Sequence, residues 1–232
     1  MKTVLLRDQL EANGFVLPKG LIDSSLLDAL DQTFTKFDRQ AGRRDLLSAE
    51  PITQRLLRDP FLCQLVDGLF DRQAFVVRAT LFDKQPNANW SVTWHQDQAI
   101  AVSDRHDCPG FGPWSIKNGV QHVEPPRDVL ERMTAIRLHL EDCTEAHGPL
   151  IISPKTHLLG RLTGDKISQV VRDYGEEVVT INAGSVLVMK PLTLHRSLKM
   201  AEGKRRRAIH LDCTDQALPE PLAWKYNAGF GH

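Results

Sequence analysis

The sequence predicts a mainly β chain with flanking helices, an antiparallel sandwich or barrel with N-terminal helices packed on one side. Two observations carry this. Up to about residue 72 the apolar residues repeat at helical spacing, and from Ala74 onward the chain turns to short runs of β-branched and aromatic residues. Helices before a series of strands favour layers of sheet with a helical cover. A chain of 232 residues suits one domain over 1–232, a helical preamble at about 1–72 and a barrel at about 73–232.

The elements follow from punctuation. Leu5 to Ala12 reads as a short helix stopped by Asn13-Gly14, and Phe15-Val16-Leu17 as a strand ended by Pro18. Asp23 or Ser24 can cap a helix whose Leu26, Leu27, Leu30, Phe34 and Phe37 form one stripe. Asp59-Pro60 places a cap before a first-turn proline and opens a helix from Phe61 to Leu69. These stripes are expected to face a sheet rather than a partner. Strands are expected at about 74–84, 91–97, 133–140, 149–153, 177–181, 185–190 and 205–212. The longest irregular stretch, 98–132, leaves directly from the 91–97 strand and is expected to be a lid over substrate, with Trp114 its apolar anchor.

Composition excludes several classes. Twenty-nine basic residues balance twenty-nine acidic ones, which gives no general case for nucleic acid or an anionic membrane. No apolar run approaches the ~20 residues that span a bilayer. An acidic residue at Asp8 comes too early for a signal peptide. Cys63, Cys108, Cys143 and Cys213 show no Cys-x-x-Cys pairing, as expected of free thiols in a cytoplasmic protein. A monomer or weak homodimer acting on a small molecule is the expectation.

The chemistry concentrates in His95-Gln96-Asp97 and His195. On a strand, residues two apart share a face, so His95 and Asp97 can reach one ion together. A histidine from a distant strand completes two imidazoles and one carboxylate, a set that leaves open positions and suits non-haem Fe(II) activating O2. Arg205-Arg206-Arg207 follows, and an arginine fork there suits the carboxylate of an acidic co-substrate. Alternation puts Arg206, Ala208 and His210 on one face of that strand and Arg205, Arg207, Ile209 and Leu211 on the other.

Several segments in order resemble the phytanoyl-CoA dioxygenase family. Trp94-His95-Gln96-Asp97 resembles its iron-binding motif, with Phe82 to Pro86 as the lead-in strand. Thr134 to Leu150 is similar to its central strand and Gly-Pro turn, Ile152 to His157 to its small-residue-then-His segment, and Asn182 to Ser197 to the pair of strands carrying the distal histidine. His147 stands where the family more often has Asn, and Lys155-Thr156-His157 replaces the usual Gly-Ser-His. The resemblance runs from about residue 12 to the end.

It implies a double-stranded β-helix (a jelly roll, cupin-like) and an Fe(II)- and 2-oxoglutarate-dependent oxygenase using O2. Its metal ligands would be His95, Asp97 and His195, with no catalytic residue beyond them. The 2-oxoglutarate arginine lies eleven residues after the distal histidine, at Arg206, with Ser197 beside it; a one-residue slip would substitute Arg207. Related halogenases carry a small residue in place of the carboxylate, so Asp97 implies hydroxylation of an aliphatic C–H or another oxidation. Desaturation, epoxidation or rearrangement, a non-catalytic cupin-like binder, and a Zn(II) hydrolase or isomerase stay open. For substrate the candidates are Arg137, His139, Lys84 and Trp114; Arg137 and His139 share a face, and Arg137 meets either a substrate carboxylate or a structural ion pair. His210 either lines the co-substrate pocket or is a core histidine.

Overall fold

Helix α1 (Lys2–Asn13) stops where the Asn13-Gly14 signal places it. Gly14 has φ +82°, and a Cβ there would lie 2.5 Å from His157 Nδ1 and 2.6 Å from Thr193 Oγ1, so only glycine fits this junction. The computed structural model describes residues 2–35 and 42–231; Phe37, expected on the stripe of the second helix, and His232 lie outside them. Strand β1 (Phe15–Val16) follows, then α2 (Ser24–Thr35), β2 (Gly42–Arg43), the short α3 (Leu46–Ala49) and α4 (Pro51–Leu56), and α5 (Pro60–Leu69). Asp23 begins α2, its Oδ1 accepting from Leu26 N at 3.0 Å. Asp59 caps α5 by accepting from Leu62 N at 3.1 Å, with Pro60 in the first turn.

The barrel residues form β3 (Phe75–Lys84), β4 (Val92–His95), β5 (Ile100–Val102), β6 (Trp114–Lys117), β7 (Val120–Val123), α6 (Arg127–Glu131), β8 (Thr134–His139), β9 (Leu150–Ile152), α7 (Gly164–Tyr174), β10 (Glu177–Val179), β11 (Val186–Met189), β12 (His195–Ser197), β13 (Arg206–Thr214) and β14 (Ala228–Gly229). The larger sheet runs β1-β11-β8-β13-β3-β14 with β2 on β3, and the smaller runs β10-β9-β12-β4. Every pairing is antiparallel. Ala135, Leu187 and Met189 of the larger sheet pack against Leu150, Ile152 and Val179 of the smaller one. This is a two-sheet sandwich of the cupin, double-stranded β-helix type.

The helices cover the outer face of the larger sheet. Leu26, Leu30 and Phe34 of α2 and Leu62, Leu65 and Val66 of α5 share a core with Leu81, Ile136, Val188, Ile209 and Leu211. Leu30 and Phe34 are fully buried, so Leu30→Ala should cost ~2–5 kcal/mol of stability. The measurement is the urea midpoint at unchanged slope; a loss under ~1 kcal/mol would show that α2 rests on the sheet without supporting it.

One expectation is corrected. Residues 98–132 are not an irregular excursion but a third sheet, ordered β5-β7-β6, followed by α6. Its Ile100, Val102 and Val123 form a second core with Leu130, Met133, Leu192, Leu218 and Leu222. The C-terminal segment secures it: Ser103 N donates to Ala223 O, and Lys225 N to Ala101 O.

Candidate active site

Strand β4 delivers His95 beside His195 of β12, directly across the ladder. The imidazole centroids are 4.1 Å apart. Asp97 stands just beyond the strand end, its N–H donating to Pro191 O at 2.9 Å. Its Oδ1 is 3.9 Å from His95 Nε2 and its Oδ2 3.8 Å from His195 Nε2. One donor atom from each of the three residues falls within 4.8 Å of the others, room for one ion between them.

The protein fixes both rings. His95 Nδ1 bonds the carbonyl of Thr93 at 2.9 Å and His195 Nδ1 that of Thr193 at 3.0 Å. Each Nδ1 therefore carries the hydrogen, and each Nε2 presents its lone pair toward Asp97. Burial pushes His195 down to about 4, which keeps the ring neutral near pH 7. Two imidazoles and one carboxylate, pre-oriented and with open space beside them, fit an octahedral Fe(II) held on one face.

Gln96 points the other way. Its Nε2 donates to Gly160 O and Leu192 O, both at 2.7 Å, and its Oε1 accepts from Leu162 N at 2.9 Å. The residue between the two ligands thus ties their strand to the turn that leads into His195.

The ligands open on a cavity of about 590 Å³ between the sheets, lined among others by Phe82, Gln98, Arg137, Ser197, Arg206 and His210. On β13, Arg206 and His210 face inward as alternation requires. Arg206 is 3% exposed, donates to Gly148 O, and has no partner for Nε among the described residues. Arg207 faces outward, where Glu141 and Asp31 bind it. Arg205, on the same outward face, donates to both oxygens of the buried Asp83 at 3.0 and 2.7 Å. A carboxylate taken out of water needs a cation, and the outward arginine supplies it.

The substrate candidates divide. Arg137 reaches the cavity and stacks 4.9 Å from the Phe82 ring centroid. His139 shares its face but is 2% exposed, does not line the cavity, and leaves Nδ1 unpaired. Lys84 is fully buried below the wall, with Nζ donating to Ser197 Oγ at 3.1 Å and Leu198 O at 2.7 Å; it adjoins Arg206 across the ladder rather than the open space. Burial, with Arg206 and Arg137 nearby, lowers its pKa to about 7. Trp114 does not line the cavity at all: it packs on the second core with Arg105 5.5 Å over its ring, because residues taken for a loose lid form a sheet with its own interior.

Arg78, Lys117, Glu124 and Arg44 are among the cavity residues that sequence reasoning missed. Arg78 pairs with Asp212 at 2.5 Å, and Asp212 also meets His210 at 3.4 Å. Period-two alternation back from Lys84 puts Arg78 on the inner face and could have found it. Lys117 and Glu124 arrive with the third sheet. The signal for that sheet is Asn118-Gly119, with φ +50° and +75°, joining two four-residue strands by a two-residue hairpin turn. Arg44 gives no signal beyond charge.

The sequence model for phytanoyl-CoA dioxygenase (PhyH) matches residues 10–208. The chain belongs to the phytanoyl-CoA dioxygenase family. No curated protein sequence matches it. Among solved structures, apo EctD from S. alaskensis superposes with a TM-score of 0.71 at 14% identity, covering 93% of this chain and 78% of that one. EctD has also been solved with bound Fe and with 2-oxoglutarate and 5-hydroxyectoine. SnoN, a non-haem α-ketoglutarate-dependent epimerase of nogalamycin biosynthesis, gives 0.68 at 14% identity, covering 93% of this chain and 82% of that one. AviO1 from Streptomyces viridochromogenes gives 0.65 at 19% identity over 94% of this chain and 96% of that one. This family member is a non-haem iron enzyme dependent on 2-oxoglutarate. Among the described residues, no helix is long and apolar enough to cross a membrane.

Proposed function

We propose that this family member is a cytoplasmic oxygenase that hydroxylates an aliphatic C–H of a small metabolite, with release of succinate and CO2. The observation that carries the reading is the triad itself: two pre-oriented imidazoles and a carboxylate facing a cavity. His95, Asp97 and His195 hold iron. Arg206 receives the far carboxylate of 2-oxoglutarate, with Ser197 beside it; because Ser197 Oγ accepts from Lys84 Nζ, its own hydrogen is free to donate. Iron and 2-oxoglutarate, when bound, supply the oxidation of an unactivated C–H. The chain's own residues hold the iron and the 2-oxoglutarate, orient the substrate and exclude water, with Gln98 and Lys117 of β6 lining one side of the cavity. An outcome other than hydroxylation keeps weight because SnoN, of similar fold, is an epimerase.

The test is incubation of the Fe(II)- and 2-oxoglutarate-loaded enzyme with candidate metabolites under O2, with mass spectrometry for a product one oxygen heavier and for succinate in equal amount. Succinate with a substrate of unchanged mass or lighter by two hydrogens would replace hydroxylation by epimerisation or desaturation.

Proton linkage gives a separate prediction. With its pKa at about 7, Lys84 is mostly neutral at pH 8.5. A carboxylate arriving beside it raises that pKa, so 2-oxoglutarate binding should take up a proton in this range. Calorimetry in buffers of different ionisation enthalpy reads the uptake, and Lys84→Met should remove it. Equal heats in all buffers would place Lys84 outside the reach of the co-substrate.

A further inference from the structure

We propose that the substrate is an anion, a carboxylate or phosphate ester, whose charged group is received by Arg137 inside the cavity. This rests on the reading of the site as an iron and 2-oxoglutarate centre. Six arginine or lysine side chains line the cavity against two carboxylates, Asp97 and Glu124. Three of these charges are already neutralised: Arg78 by Asp212, Arg196 by Glu176 at 2.7 Å, and Glu124 by Arg161 at 3.3 Å. Arg44, Lys117, Arg137 and Arg206 remain without a carboxylate among the described residues. Bound iron is balanced by Asp97 and the near carboxylate of 2-oxoglutarate, and Arg206 by the far carboxylate. Arg137 is left over.

Its surroundings make that surplus costly. Arg137 is 5% exposed, its Nε has no hydrogen-bond partner among the described residues, and it stacks on the face of Phe82. Burial and the nearby Arg206 pull its pKa to about 9, outweighing the opposing pull of Cys143 and Asp97. A buried unpaired guanidinium is strongly unfavourable, and a ligand anion is the remaining partner that would relieve it. An ion pair within the chain is the other role an inward arginine on β8 could have, and no acidic residue among the described ones takes it. At the mouth, Lys117 is pulled below its ordinary pKa by burial and by Arg78 and Arg44. Like charges from β3, from the segment after β2 and from the third sheet therefore face one another there, a field that draws anions inward.

The experiment uses the protein loaded with Mn(II) and 2-oxoglutarate. A small-molecule set sorted into carboxylates, phosphate monoesters, neutral amides and amines is screened by thermal shift, and the best hits are measured by calorimetry. The stabilising hits should be anions. Arg137→Met should weaken the best of them about thirtyfold or more while 2-oxoglutarate affinity stays within about threefold. The proposal is overturned if no anion stabilises the protein, or if anion affinity is unmoved in Arg137→Met. It is equally overturned if Arg137→Met loosens 2-oxoglutarate as much as Arg206→Met does, since Arg137 would then be a second co-substrate anchor. Failure of the parent protein to bind 2-oxoglutarate at all is a different result, and it would remove the underlying reading together with this inference.

Discussion

His195→Ala will bind Fe(II) more than about a hundredfold more weakly and turn over no substrate, and Asp97→Ala and His95→Ala will do the same. Loss of an outer partner that only orients a ligand costs 10–100-fold, so loss of a ligand itself should exceed that range. The folded state should persist. His195 is buried but neutral near pH 7, and Asp97 is acceptor-only between two rings, so neither truncation strands a charge. A thermal melt without metal that matches the parent, beside a lost Fe(II) titration under argon, is the expected pair of results. Retained turnover in any one variant would end the assignment of three ligands.

The next largest effect belongs to Arg206. Arg206→Ala should raise the 2-oxoglutarate concentration needed for half-maximal rate by the equivalent of ~2–5 kcal/mol, because a desolvated carboxylate loses its fork-shaped partner. The variant should bind iron normally. Arg207→Ala, by contrast, removes a clamp between β13, Glu141 and Asp31 of α2, and should lower stability while leaving the co-substrate requirement alone. If the two phenotypes exchange, the inward arginine is Arg207 after all.

What the residues disclosed, and what they hid, have separate physical reasons. Strand β13 was legible because alternation along nine residues is a strong signal and all nine are buried in a central position. Two of the metal ligands were legible because His95 ends β4 and Asp97 follows two residues on, so their proximity needs no knowledge of the fold. The ion pair of Arg205 was not legible because its partner, Asp83, comes from a strand over a hundred residues earlier in the chain; which outward charge finds a buried counterion is a property of pairing, not of alternation. The third sheet was hidden by brevity: β5, β6 and β7 are three or four residues each, too short for periodicity to separate from noise, and only the Asn118-Gly119 turn marks them. Helix α7 was missed although Ile167, Val170, Val171 and Tyr174 recur at helical spacing and could have marked it; only Val171 of these is buried.

The junction at Gly14 bears on how this enzyme can be taken apart. Gly14 O accepts from Lys190 N at 2.8 Å and from Thr193 Oγ1 at 2.9 Å, while Glu11 O is bonded by His157 Nε2. Thr193 is the residue whose carbonyl aims His195. The first helix therefore terminates on the turn that orients a metal ligand, and the sandwich has no separable catalytic half. Minimal versions trimmed to the β-strands, chimeras exchanging the helical segment between relatives, and directed-evolution libraries that treat residues 10–14 as inert scaffold would all perturb metal loading before they perturb substrate choice. In evolutionary terms this end of the chain is bound to the chemistry.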